Sequence, residues 1–266
     1  MWRDIQRIRA EAPLVHNITN YVVMNTTANA LLALGASPVM AHAPEEVEEM
    51  AGLAHAVVIN IGTLSAPWVE AMVKAGRVAR RRGIPLVLDP VGSGATLYRT
   101  ETAERLIAEA PPTIIRGNAS EIRSLAGAAG ATKGVDSVHG AEESVEAARA
   151  LAARCGCVVS MSGAVDVIVS EGGLARVRNG HPMMPRVTGL GCTASALTGA
   201  FAAVNPSAAE AAAHAMAAMG IAGEMAGERA EGPGTFQMLL LDALYSLREE
   251  DIARRVRYDA VCSPAG

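Results

Sequence analysis

The chain has 266 residues, of which 50% are hydrophobic and 19% are charged, with a formal net charge of −4. This length and composition allow a full apolar core, and the absence of a long Lys/Arg run excludes the electrostatic footprint of a protein that binds nucleic acid or an anionic membrane. Chemistry on small molecules is the class of function that these properties favour.

Short apolar runs alternate with longer Ala-rich segments along the chain. This alternation predicts an α/β fold with a mostly parallel central sheet and helices on both faces. The predicted strands are 38–41, 56–61, 85–89, 113–116 and 157–162, followed by an antiparallel hairpin of 167–170 and 174–178. The predicted helices are 5–12, 20–34, 44–53, 67–82, 101–110, 119–125, 141–154, 193–204, 207–229 and 234–249. We expect a single domain over residues 1–266, with residues 126–140 as a surface loop.

The most apolar part of the chain, residues 200–230, is interrupted by polar and charged residues. These include Glu210, His214 and Glu224, so the stretch predicts a pair of packed helices and not a membrane span. The charged N-terminus lacks the apolar segment of a signal peptide. The 4 cysteines lack zinc-site spacing, so reduced thiols are expected. We therefore expect a cytoplasmic protein without a structural metal.

Polar side chains follow the predicted strands at the points where these strands end. Ligands of a parallel sheet bind beyond the carboxyl ends of the strands. Asp89 and Glu121 form an acidic pair that could hold Mg²⁺ or its waters, because this ion needs only one or two carboxylates beside the substrate phosphates. Arg116 could neutralise phosphate charge, and Ser162 could bond a phosphate oxygen. The sequence therefore predicts a nucleotide site at this edge of the sheet.

Asp89, Glu121 and Ser162 also have purely structural interpretations. Asp89 precedes a proline and could simply begin a turn. Asn118, with Glu121 three residues later, has the spacing of a capping box, which alone would explain both side chains. Ser162 could bond its own backbone. At the level of the sequence, both interpretations stay open for all of them.

Residues 187–204 place a glycine-spaced turn directly before a small-residue helix. Gly189 and Gly191 permit backbone conformations that a side chain disfavours, and the first turn of a helix leaves N–H groups unpaired. These amides and the helix dipole favour an anion such as a phosphoryl group. The alternative is a tight turn before a buried helix, with Cys192 as a small apolar filler.

Six segments, taken in order, resemble the hydroxyethylthiazole kinase family of the ribokinase-like superfamily. They are residues 13–20, 33–40, 60–64, 88–92, 115–121 and 187–192. The resemblance covers nearly the whole chain and implies a three-layer α/β/α ribokinase-like fold. It also implies ATP-dependent, Mg²⁺-assisted phosphorylation of the primary alcohol of 4-methyl-5-(2-hydroxyethyl)thiazole in thiamine salvage. A homotrimer with active sites between neighbouring subunits is implied as well.

The same resemblance assigns roles to individual positions. It implies substrate contacts at Met40 and Gly189 and ATP contacts at Arg116 and Ser162. Asn20 lies in a polar turn before a helix and is expected to bound the substrate pocket as well, and Asn118, two positions after Arg116, is expected to contact ATP. The family often has threonine at the position of Ser162, and threonine or alanine where this chain has Leu190, which could narrow the pocket. Without the resemblance, Met40 would be interpreted as a core residue.

The catalytic residues are expected at Gly191 and Cys192. A thiol at a helix N-terminus has a lowered pKa, and Cys192 could then accept the proton of the substrate hydroxyl. Phosphoryl transfer depends mostly on alignment and charge neutralisation, so we expect Cys192 to contribute less than the main-chain amides.

Three other functions remain open from the sequence. A ribokinase-like kinase for hydroxymethylpyrimidine would share the fold and the anion site but differ around Met40 and in the segment 16–20. A non-catalytic sensor of thiazole or nucleotide would keep the pockets without turnover. An NAD(P)HX dehydratase of the same fold is expected to carry Asp in place of Cys192.

Overall fold

A computed structural model describes residues 1–127 and 137–262 of the chain. Within these residues, one sheet contains β1 (Leu14–Ile18), β2 (Ser37–Val39), β3 (Ala56–Asn60), β4 (Leu86–Asp89), β5 (Ile114–Asn118), β6 (Val158–Ser162), β7 (Asp166–Ser170), β8 (Gly173–Val177) and β9 (Tyr258–Cys262). The helices are α1 (Trp2–Glu11), α2 (Met24–Leu34), α3 (Val47–Leu53), α4 (Ala66–Arg82), α5 (Leu97–Glu109), α6 (Ala119–Leu125), α7 (Ser137–Cys155), α8 (Leu190–Val204), α9 (Ala208–Gly227), α10 (Pro233–Ser246) and α11 (Glu249–Arg255).

The strands lie in the order β2-β1-β3-β4-β5-β6-β7-β8-β9. β1 to β6 pair in parallel, whereas β7, β8 and β9 join as antiparallel neighbours. Side chains alternate between the two faces of a strand. Val58 and Val87 therefore enter the core beneath α8 and α9, and Val57 and Leu88 enter a second core on the opposite face. The predicted three-layer fold with a mostly parallel sheet is confirmed.

Each predicted helix and strand has a counterpart whose ends differ by a few residues. The largest changes, of four residues, are at helix starts: the helices predicted from residues 20, 101 and 141 begin at Met24, Leu97 and Ser137. The helix predicted from residue 193 begins at Leu190. The predicted surface loop 126–140 lies mostly outside the described residues, and its last four residues belong to α7.

Three elements were missed by the sequence interpretation: β1, α11 and β9. His16 and Asn17 interrupt the apolar run of β1, so the segment has the composition of a polar turn. Both side chains are nevertheless buried. His16 Nε2 lies 2.7 Å from the carbonyl oxygen of Ala41, and Asn17 Nδ2 donates to the carbonyl of Val15 at 2.9 Å. These hydrogen bonds, one to a distant carbonyl and one to a local carbonyl, thus allow two polar side chains of β1 to enter the core.

The apolar stretch 200–230 folds as predicted, into the end of α8 and the whole of α9, which pack against each other. In the part of the chain that the structure describes, no helix has both the length and the apolar character needed to cross a membrane.

The buried His16 predicts a pH dependence of stability. Burial lowers the pKa of His16 below its ordinary value of 6.5, so the folded protein binds a proton less readily there than the unfolded chain. The stabilisation is complete above pH 6.5 and is lost as pH falls through the lower, folded-state value. Urea unfolding between pH 7.5 and 5 should show falling stability, with a smaller slope in His16→Gln. An unchanged slope in that variant would contradict this assignment.

Candidate active site

Four neighbouring parallel strands each place one polar side chain in a common row. The row consists of Asn60, Asp89, Arg116 and Ser160. Asn60 is in register with Asp89, and Arg116 is in register with Ser160. The residue two positions earlier on each strand lies in the core beneath α8, and side chains two apart share a face. The row therefore lies at the carboxyl ends of the strands on the face that α8 covers.

Asp89 is almost completely buried in this row. Its Oδ2 accepts hydrogen bonds from Asn60 Nδ2 at 2.8 Å and from Ser195 Oγ at 2.7 Å. Burial raises the pKa of the Asp89 carboxyl to about 6, although the charge of Arg116 and the two hydrogen bonds oppose that rise. Fixed donors thus hold the carboxylate in one orientation.

Glu121 is held by the capping box that its spacing predicts. Asn118 Oδ1 accepts from the amides of Ser120 and Glu121, both at 3.0 Å, while Glu121 Oε2 accepts from the amide of Asn118 at 2.8 Å. Glu121 Oε1 accepts from the amide of Gly92, also at 2.8 Å. The structural interpretation is therefore confirmed. The charge of Glu121 also raises the pKa of Asp89.

The N-terminus of α8 presents unpaired amides beside a buried cation. Gly189 directly precedes the helix and has φ +81°. The amide of Thr193 is the first in this turn with a backbone acceptor, the carbonyl oxygen of Gly189 at 2.9 Å. The amides of residues 190–192 have no acceptor among the described residues. Arg116 Nη1 lies 3.6 Å from the position of a Cβ built on Gly191.

Arg116 itself carries unused hydrogen-bonding capacity. The side chain is only 5% exposed, and its Nε has no partner in the described structure. Its Nη1 lies 3.5 Å from Ser195 Oγ, at the limit of a hydrogen bond. A buried, under-satisfied guanidinium next to free amides forms a site for an anion, because both supply positive potential and N–H donors.

A cavity of about 830 Å³ opens beside this anion site. It brings together five predicted residues: Arg116, Asn118, Ser162, Gly189 and Gly191. Met216, Met219 and Leu190 supply part of its apolar lining. A second cavity, of about 840 Å³, lies between α7 and strands β6–β8 and shares Ser162, but it does not reach the glycine turn. The first cavity is thus the one adjacent to the amides of α8.

Met40 is not brought into that cavity. It lies immediately after β2, the edge strand of the sheet, and its carbonyl oxygen is 3.3 Å from His42 Nδ1. The residues that line the cavity do not include Met40, Asn20 or Cys192. Within one chain, the predicted substrate contacts Met40 and Gly189 therefore do not line the same cavity.

Cys192 lies in the first turn of α8, where its thiol contacts the side-chain amide of Asn20, which in turn bonds that of Asn60. Asn20 Nδ2 donates to Asn60 Oδ1 at 2.8 Å and lies 3.4 Å from Cys192 Sγ. Burial raises the pKa of the Cys192 thiol and the charge of Asp89 adds to this, whereas the two amides and Arg116 lower it. The expectation of a lowered thiol pKa is therefore wrong, because burial and the charge of Asp89 outweigh the groups that favour the thiolate.

Comparison with known proteins decides the family. The model of the hydroxyethylthiazole kinase family matches residues 5–250. The chain belongs to this family. Hydroxyethylthiazole kinases from Syntrophus aciditrophicus and Oleidesulfovibrio alaskensis are 61% and 58% identical to it, over 96% and 95% of this chain and 95% of each relative.

A solved structure supports the same assignment. The hydroxyethylthiazole kinase of Pyrococcus horikoshii OT3 superposes with a TM-score of 0.90 at 46% identity, covering 98% of both chains. A pyridoxal kinase from Staphylococcus aureus reaches a TM-score of 0.68 at 18% identity, covering 94% of this chain and 99% of its own, and shows a likeness of fold alone. The ribokinase-like α/β fold expected for a hydroxyethylthiazole kinase is thus confirmed.

Two residues of the site were not singled out from the sequence. Asn60 ends β3 as Asp89 ends β4, so the rule that finds polar groups at strand ends could have found it. Ser195 gave no such signal, because a serine in the second turn of a helix of small residues does not by itself indicate a functional site. Only the packing of α8 on β4 shows that its hydroxyl reaches Asp89.

Proposed function

We propose that the protein transfers the γ-phosphoryl group of ATP to the primary hydroxyl of 4-methyl-5-(2-hydroxyethyl)thiazole, forming its monophosphate in thiamine salvage. The observation that carries this proposal is the set of unpaired amides at residues 190–192 that lies next to buried Arg116. Family membership supports the choice of alcohol. The cavity supports a nucleotide contact at Arg116, Asn118 and Ser162.

In this mechanism, the protein aligns the hydroxyl with the γ-phosphorus and neutralises charge on the phosphoryl oxygens. The amides of residues 190–192 and the guanidinium of Arg116 supply the donors. Cys192 Sγ, in its thiolate form, accepts the hydroxyl proton. Because burial disfavours that form, we assign the larger part of the rate enhancement to the amides and Arg116.

The acidic pair fits a hydrated Mg²⁺. Asp89 Oδ2 and both oxygens of Glu121 already accept hydrogen bonds from the protein. No group of three His, Cys, Asp or Glu suited to a metal occurs in the described residues. We therefore propose that Asp89 and Glu121 orient the waters of an ion that the phosphates bind directly. When bound, this ion would neutralise phosphate charge.

Release of ADP, measured in a coupled assay with several heteroaromatic alcohols, tests the proposed activity. We expect turnover with hydroxyethylthiazole, at least tenfold slower turnover with hydroxymethylpyrimidine, and loss of both on removal of Mg²⁺ with EDTA. Faster turnover of hydroxymethylpyrimidine would favour the other kinase. Binding of the thiazole without ADP release would favour a non-catalytic sensor.

We also propose a homotrimer whose sites lie between subunits. Met40 and Gly189 are separated within one chain, and a neighbouring chain at the β2 edge could bring another Met40 to the site. Light scattering should then give three times the mass of one chain, and a monomer with full activity would contradict the proposal.

We also propose a domain organisation and a cellular location for the protein. The continuous nine-stranded sheet in the described residues supports a single domain over residues 1–266. The free thiols of Cys155, Cys157 and Cys192 support a cytoplasmic location, because thiols stay reduced there.

A further inference from the structure

We propose that Asn60 is a positioning residue: its carboxamide fixes Asp89 on one side and, on the other, holds the amide of Asn20 against Cys192 Sγ. This inference rests on the proposed function, in which Cys192 lies beside the reacting hydroxyl. It also changes the role of Asn20 from a substrate contact to a support for the thiol.

The orientation of the Asn60 carboxamide is set by partners that cannot exchange roles. Nδ2 donates to the Asp89 carboxylate at 2.8 Å, and Oδ1 accepts from the backbone amide of Gly62 at 2.9 Å. A carboxylate oxygen accepts and an amide N–H donates, so a flipped carboxamide would face two mismatched partners. Asn60 is 1% exposed, so solvent has little access to these hydrogen bonds.

The side-chain amide of Asn20 is also oriented by one partner that only donates and one that accepts. Its Oδ1 accepts from the backbone amide of Val22 at 3.1 Å, and its Nδ2 donates to Asn60 Oδ1 at 2.8 Å. The second hydrogen of Nδ2 is then directed to Cys192 Sγ, 3.4 Å away. With both hydrogens of Nδ2 in use, the side chain of Asn20 has no donor left for a substrate.

The thiol of Cys192 faces two fixed charges besides these amides. Asp89 disfavours the thiolate, whereas Arg116, Asn60 and Asn20 favour it. A sulfur that loses its amide donors keeps the burial and the repulsion from Asp89. Removal of Asn60 should therefore make the thiolate harder to form, even though Asn60 is on β3 and Cys192 is 132 positions later, in α8.

The test measures the alkylation of Cys192 by iodoacetamide against pH, without substrate or nucleotide, with each cysteine followed by peptide mass spectrometry. The reagent reacts with the thiolate. In Asn60→Ala we expect the midpoint of the curve of alkylation rate against pH to rise by about one pH unit. The alkylation rate of Cys192 at pH 8 should then fall about tenfold. Asn20→Ala should produce a similar rise.

A double variant separates positioning from independent effects. If Asn60 acts partly by holding Asn20, the combined Asn20→Ala/Asn60→Ala shift will be smaller than the sum of the two single shifts. Asn17→Ala is the matched control, because Asn17 is equally buried on the neighbouring strand but bonds only Val15. It should leave the midpoint unchanged.

An unchanged midpoint in Asn60→Ala, or single shifts that add fully, would overturn the proposal. Asn60→Ser is the second variant, since it fills part of the space without reaching Asn20. If neither variant folds while Asn17→Ala does, Asn60 belongs to the fold and the proposal fails. The alkylation result does not depend on turnover, so a failure of the proposed function would appear separately in the ADP assay.

Discussion

Replacing Gly189 with alanine is expected to lower kcat/KM by about 100-fold to 1,000-fold, the loss typical of a damaged oxyanion-type site. Gly189 has φ +81°, where alanine is strained, and a Cβ there would collide with Val23 Cγ1. The first turn of α8 must shift to relieve this contact, and the amides of residues 190–192 shift with it. Steady-state ADP release measures the loss.

Gly83→Ala is the matched control for this substitution. Gly83 also has a positive φ, of +67°, at the end of α4, but a Cβ there would have no neighbour within 4 Å. It should cost some stability and leave kcat/KM within about twofold. Cys192→Ser should lose less activity than Gly189→Ala. A loss from Cys192→Ser as large as that from Gly189→Ala would contradict the ranking of the amides above the thiol.

Replacing Arg116 with glutamine is expected to lower kcat/KM about 1,000-fold, in the range found when an arginine that neutralises a transferred phosphoryl group is removed. The positive charge beside the amides is lost. Because Arg116 also opposes the rise in the pKa of Asp89, its removal should leave more of that carboxyl protonated near neutral pH. Arg116→Lys keeps the charge without the planar fork and should recover part of the loss.

Arg154→Gln is the control for loss of an arginine. Arg154 is a half-exposed side chain of α7 that pairs with Glu104 at 3.0 Å, outside the site. Circular dichroism and Tm of each variant separate inactivity from unfolding. Folded Arg116→Gln with activity within tenfold of the unsubstituted protein would show that another group neutralises the phosphate.

Much of the fold could be predicted because the spacing of apolar residues along the chain indicates which segments and faces are buried. Strands such as β3, β4 and β5 are continuous apolar runs, and their ends place Asp89, Arg116 and Asn118 at one edge of the sheet. The capping box of α6 is also a local pattern, with both partners within four residues. These features depend on neighbours in the chain.

The missed parts depend on distant partners. β1 has two polar residues in a row, and His16 is buried where its ring hydrogen-bonds to the carbonyl oxygen of Ala41, 25 residues away in the sequence. The pKa of Cys192 was predicted in the wrong direction because the helix N-terminus is visible in the sequence, whereas burial and the charge of Asp89 are not. Desolvation is a property of the packed molecule.

The sequence alone determined the layers of the fold, the glycine turn before α8 and the residue types that end the strands, because these follow from local periodicity and backbone conformation. Only the tertiary structure decided which side chains share hydrogen bonds. It placed Ser195 between Asp89 and Arg116, joined Asn20 to Cys192, and left Met40 at the sheet edge. The physical reason is that strand order and helix packing set these distances, and no spacing along the chain encodes them.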